Sequence, residues 1–71
     1  MPQVSARDLT SFLRQQGFWE DRQSGSHLTF GHDDGRTATV PMHSARDLGR
    51  GLAVGILKDA GFTVDDYLRL R

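Results

Sequence analysis

Three histidines, His27, His32 and His43, are the side chains best suited to proton chemistry near neutral pH. A histidine in this setting can move a proton, hold a metal or pack. Metal binding requires convergence. His27 and His32 are five residues apart, which sends them to opposite faces of a regular strand, and the chain has no HxH or HExxH spacing. No metal site is therefore expected. The chain has no cysteine, which removes disulfides, thiolate zinc sites and cysteine nucleophiles and fits a reducing, cytoplasmic location. Nucleophile-elbow, P-loop and dinucleotide fingerprints are missing. Gly49 and Gly51 make only G-x-G, with no third glycine and no preceding strand. Asp33 and Asp34 read as turn residues. Asp65 and Asp66 read as first-turn charges that favour a helix dipole.

The elements that position these histidines can be read from spacing. Ser5 with Asp8 resembles a capping box and opens a first helix, with Leu9, Phe12 and Leu13 at helical intervals and Gly17 as its stop. Three strands follow, over 18–23, 26–32 and 36–40. They are separated by Ser24-Gly25 and by Asp33-Asp34-Gly35, and the last is ended by Pro41. Tight turns between successive strands predict an antiparallel meander. After the loop "PMHSARDLG", a second helix is predicted over 50–60, with Leu52, Ile56 and Leu57 as its apolar stripe and Gly61 as its stop. Thr63 with Asp66 opens a short third helix over 63–70, with Val64, Tyr67 and Leu68 free to dock. The fold class is α+β in the order αβββα, with a three-stranded antiparallel sheet and both main helices on one face. The chain is read as a single domain over 1–71, and no membrane span is present.

Alternation then sets the direction of His27. Leu28 and Phe30 must face the core, so His27 and Thr29 face away. On the third strand Ala38 and Val40 take the core side and leave Thr37 and Thr39 outside. His27, Thr29, Thr37 and Thr39 thus form a polar patch on the uncovered sheet face. His32 shares the core parity of Leu28 and Phe30 but lies at the strand end, where parity is easily lost.

A 71-residue chain has one small core and no room for a deep cleft. A shallow site without a cofactor suits RNA cleavage, because the substrate brings its own nucleophile, the 2′-hydroxyl. The protein need only take a proton and steady the phosphate, and an open sheet face accommodates a flexible strand. Net charge is zero, with 37% hydrophobic and 25% charged residues. The charge is unevenly spread. Residues 1–35 carry three arginines against five acids, whereas residues 36–58 carry Arg36, Arg46, Arg50 and Lys58 against Asp47 alone. All basic residues but Lys58 are arginine, whose planar fork matches phosphate.

The ordered set "GF" (17–18), "GSHLTF" (25–30), "DGR" (34–36), "VPMH" (40–43), "LGRG" (48–51) and "ILKDAGFTVDDYL" (56–68) resembles the HicA toxins, small mRNA-cleaving partners of HicB antitoxins. The resemblance covers nearly the whole chain. It implies a double-stranded-RNA-binding-domain-like fold, a metal-independent mRNA interferase and neutralisation by a HicB-like antitoxin. It also implies a catalytic histidine after the glycine turn, which is His27. His43 falls on the family's P-x-H. Members often have proline where this chain has Asp33 and threonine where it has Leu52, and many are richer in lysine. The expected RNA contacts are Arg22, Gly25, Ser26, Arg36, His43, Arg46, Arg50 and Lys58. The alternative is a non-catalytic RNA-binding or protein-interaction domain of the same fold. A duplex-RNA binder would place several lysines at the start of the second helix, where this chain offers only Arg50.

Overall fold

The computed structural model describes residues 3–42 and 47–71. The order is β1 (Val4–Ser5), α1 (Ala6–Gln15), β2 (Trp19–Ser24), β3 (His27–Gly31), β4 (Thr37–Pro41), β5 (Asp47–Leu48), α2 (Arg50–Asp59) and α3 (Val64–Leu70). The main sheet is an antiparallel meander, β2-β3-β4. Three helices and a three-stranded antiparallel sheet make this an α+β fold of the double-stranded-RNA-binding-domain type.

The capping boxes form as predicted. Asp8 N–H donates to Ser5 Oγ and Ser5 N–H to Asp8 Oδ2, both at 3.1 Å. Thr63 and Asp66 repeat this at the start of α3. Each exchange satisfies two backbone donors that an unfinished first turn leaves bare. The stops also repeat. Gly17 and Phe18 donate to the Arg14 and Leu13 carbonyls, and Gly61 and Phe62 to those of Lys58 and Leu57. Both are Schellman closures with glycine at the left-handed position.

The core lies between one sheet face and the helices. Leu28, Phe30, Ala38 and Val40 meet Leu9, Phe12 and Leu13 of α1 and Ala53, Ile56 and Leu57 of α2, all buried. Phe12 takes Phe62 and Tyr67 edge-on, with ring centres 5.1 and 5.0 Å away, which ties α3 to α1.

Two expectations about apolar faces change. Leu52 is 49% exposed, and the buried stripe of α2 is Ala53, Ile56, Leu57 and Ala60. These positions run at i, i+3, i+4 and i+7, which puts Leu52 about a quarter-turn round the helix. On α3 only Tyr67 is buried and Leu68 is 39% exposed, because a seven-residue helix presents too short a face to dock both.

A two-residue antiparallel ladder, β1 with β5, was not foreseen. It pairs Val4 with Leu48 and Ser5 with Asp47, and seats the entries of α1 and α2 side by side. Pro41 closes β4 instead of lying beyond it, which its missing N–H permits on an edge strand.

Candidate functional site

The register assigns each open-face residue a row. His27 pairs with Ser24 and Pro41, Thr29 with Arg22 and Thr39, and Gly31 with Trp19 and Thr37. Directly paired residues share a face, and Leu28 and Phe30 point into the core. Ser24, His27, Arg22, Thr29, Thr39, Thr37 and Trp19 therefore share the uncovered face. The Thr29 and Thr39 hydroxyls lie 3.1 Å apart across the ladder, as a common face requires. His27, Thr37 and Thr39 are exposed.

The turn that delivers His27 is tight. Ser24 pairs with His27, which leaves Gly25 and Ser26 as the two loop residues. Gly25 has φ +59° and Ser26 does not enter the positive-φ region. A positive φ at the first loop position only is the II′ arrangement, which matches strand twist and favours glycine there. The Gln23 side-chain amide donates to the Gly25 carbonyl at 3.1 Å. Ser26 accepts from Met42 N–H, which fastens the turn to the end of β4.

The two-residue turn places Arg22 opposite Thr29, about 7 Å along the strand from His27. The β2–β3 register then shifts between Glu20 and Arg22, with Asp21 as the extra residue. Without that bulge Glu20 would oppose Gly31; with it, Trp19 opposes Gly31 and takes the open face. Among the described residues no ion pair involves Arg22.

The other predicted contacts are distributed as follows. Arg50 opens α2. Because the far end of α2 is tied to Arg36 at the start of β4, its first turn lies toward the His27 end, but on the helix layer. Lys58 is in the last turn of α2, toward the opposite end. His43 and Arg46 lie outside the described residues.

Arg36, one of the expected RNA contacts, lies at the far end of the sheet from His27, with its side chain 34% exposed. Its Nη1 donates to the Ala60 carbonyl at the end of α2, and its Nε donates to Asp34 Oδ2 at 2.7 Å. Its guanidinium lies 5.1 Å from the Phe18 ring centre and 5.4 Å from that of Phe62. These contacts close the end of the helix against the sheet.

His32 belongs to the same end. Its ring packs on Phe18 at 4.8 Å, and its Nδ1 lies 3.2 Å from Asp34 N and 3.1 Å from Asp34 Oδ1. The Asp34 N–H donates to this Nδ1. Asp34 also accepts the Arg36 backbone N–H at 3.0 Å. That bond, followed by the Arg36 side chain, holds the Asp34 carboxyl below its usual range. Among the described residues no three metal-ligating groups converge.

Trp19 was not singled out from the sequence. It is 44% exposed, and a Cβ added at Gly31 would lie 3.6–3.7 Å from three atoms of its indole, so the ring rests over Gly31. The signal was present. Phe18 and Trp19 are adjacent, so a strand must send one of them to each face.

The face as a whole is a shallow strip. An imidazole stands at one end, an arginine and two hydroxyls in the middle and an indole at the other end. Such a strip can hold an extended polymer rather than enclose a small molecule. A separate groove between α1 and α3, lined by Asp8, Ser11, Phe12, Gln15, Tyr67 and Arg71, lies on the helix layer and has no histidine. Among the described residues no helix is long and apolar enough to cross a membrane.

None of the curated proteins matches the chain. A family model described as the HicA toxin of bacterial toxin-antitoxin matches residues 6–62, which spans α1, the whole sheet and α2. The chain belongs to the HicA toxin family and is the toxin of a toxin–antitoxin system.

Proposed function

We propose that this toxin is a metal-independent endoribonuclease that cuts mRNA in the cytoplasm, with His27 as its catalytic residue, and that a HicB-like antitoxin neutralises it by covering the open sheet face. The observation that carries the reading is the placement of His27 on an exposed polar face beside Arg22, in a chain of this family.

The chemistry needs little from the protein. The RNA 2′-oxygen attacks the adjacent phosphorus, its proton goes to a base, and the bond from phosphorus to the 5′-oxygen breaks as that oxygen gains a proton. His27 supplies one of these two transfers and water the other. Arg22 faces the negative charge gathering on the phosphate, with the Thr29 and Thr39 hydroxyls beside it. A net charge of zero gives weak long-range attraction for RNA, so recognition is local to this strip.

The test incubates purified protein with mRNA in excess chelator, beside His27→Ala. Wild type should cut, and the variant should cut at least about 100-fold more slowly, the lower range for loss of a general acid or base. Equal cutting by both, or none by either, defeats the reading.

A further inference from the structure

We infer that Trp19, seated on Gly31, is a base-stacking platform for single-stranded RNA, at the opposite end of the strip from His27. The inference rests on the ribonuclease reading above and names how its substrate is held.

Trp19 is the one exposed aromatic ring among the described residues. Phe12, Phe18, Phe30 and Tyr67 are buried, and Phe62 is partly buried against the core. Trp19 lies on the open face and not on the helix side, because it pairs with Gly31, which in turn pairs with the exposed Thr37. The glycine beneath it has no side chain to tilt the indole. The indole therefore lies close over Gly31, and 44% of the residue stays exposed. An exposed ring is a poor use of apolar area for a monomer, but it suits a base, because every base has a face to stack.

The spacing supports RNA as the occupant. Gly31 and His27 are four residues apart on β3, about 13 Å along the strand, which separates the stacking point from the reacting phosphate by a short run of nucleotides. Between them lie Arg22, Thr29 and Thr39, a cation and two hydroxyls suited to the backbone of that run. A duplex keeps its bases stacked on one another and cannot offer one to Trp19. The platform therefore selects single-stranded over double-stranded RNA.

The chain has one tryptophan, so fluorescence excited selectively in the indole, beyond the absorption of Tyr67, reports this position alone. Full-length His27→Ala, which leaves the RNA intact, is titrated with single-stranded oligo(A) and with a duplex of equal length, and binding is followed independently by anisotropy of labelled RNA. Oligo(A) should quench the tryptophan and the duplex should not. Adding Trp19→Ala to the His27→Ala chain should weaken oligo(A) binding about tenfold, whereas Trp19→Phe, which keeps a ring, should lose less than threefold. In the His27-intact chain, Trp19→Ala should raise KM about tenfold and leave kcat within twofold, a split that a general loss of folded protein would not produce. RNA binding seen by anisotropy with unchanged fluorescence, or Trp19→Ala binding as tightly as its parent, overturns the platform and leaves the ribonuclease reading standing if wild type still cuts. Neither binding nor cutting by wild type overturns both. Fluorescence that responds to a protein partner but not to RNA overturns the platform and makes Trp19 a protein-docking residue.

Discussion

The β3–β4 hairpin has a histidine near each end and an arginine close to each histidine, and the two ends are built differently. At one end His32 lies on Phe18, and Arg36 is held by Asp34, by the Ala60 carbonyl and by two aromatic rings. At the other end His27 and Arg22 stand on a face that no described helix covers. The same residue types therefore serve as structure in one place and as a candidate reactive strip in the other. The difference is set by parity and by what packs on the face. Side chains on the Arg36 end bond α2 to the sheet, whereas those on the open end face away from the helices.

The largest effect should come from exchanging the histidines in this comparison. His27→Ala should abolish at least about 99% of RNA cleavage and move folding stability by no more than about 0.5 kcal/mol, the usual range for an exposed substitution. His32→Ala should do the reverse. It removes a ring from Phe18 and an acceptor from the Asp34 N–H, at a cost of about 1–2 kcal/mol, while cleavage stays within about threefold. Urea unfolding and a cleavage assay on both variants check this. If His32→Ala silences cleavage at unchanged stability, the two ends have been assigned the wrong way round.

The arginines sharpen the contrast with smaller activity changes. Arg36→Ala withdraws charge-assisted bonds to Ala60 and Asp34 and the ring contacts, so a loss of about 2 kcal/mol in unfolding free energy is expected. Arg22→Ala should leave the urea midpoint unchanged and lower kcat/KM by about tenfold, the scale of one phosphate contact. A stable Arg36→Ala variant with impaired RNA binding would make Arg36 an RNA contact and not a structural residue.

What could be read from the sequence follows the range of the rules involved. The capping boxes at Ser5 and Thr63 and the stops at Gly17 and Gly61 are local, and they form as read. The outward face of His27 follows from its neighbours Leu28 and Phe30, which is also local. The bulge at Asp21 is not, because β-bulge placement depends on pairing, and one inserted residue reverses every face beyond it. Trp19 thereby reaches the open face. The β1–β5 ladder joins two-residue strands from distant parts of the chain, too short to leave a pattern. The ring contacts of Arg36 were not legible, because Phe18 and Phe62 come from positions well before and after it in sequence. Leu52 looked like core because hydrophobicity outweighs size in a simple stripe, whereas the small Ala53 and Ala60 are what let α2 approach the sheet. The candidate role of His27 came from the family resemblance, since parity alone makes a histidine exposed without making it reactive.

The smallest effect is also the cleanest test that the two ends are independent. The Asp34 carboxyl is held below its ordinary range first by the Arg36 backbone N–H and then by the Arg36 guanidinium. A carboxyl whose folded value is depressed stabilises the fold above its unfolded value, near pH 4, and loses that contribution as pH falls through the folded value. Asp34→Asn keeps an acceptor oxygen for the N–H but removes the charge. Wild type should therefore be slightly more stable than the variant at neutral pH, and the gap should close in acid, below about pH 4. Unfolding midpoints measured between pH 7 and pH 2.5 show whether it does. Asp34 is at the Arg36 end, so the pH dependence of RNA cleavage should be the same in both proteins. A shifted cleavage profile would mean that charge at Asp34 is felt at His27 across the length of β3, and the open strip would then be tuned by the end that ties α2 to the sheet.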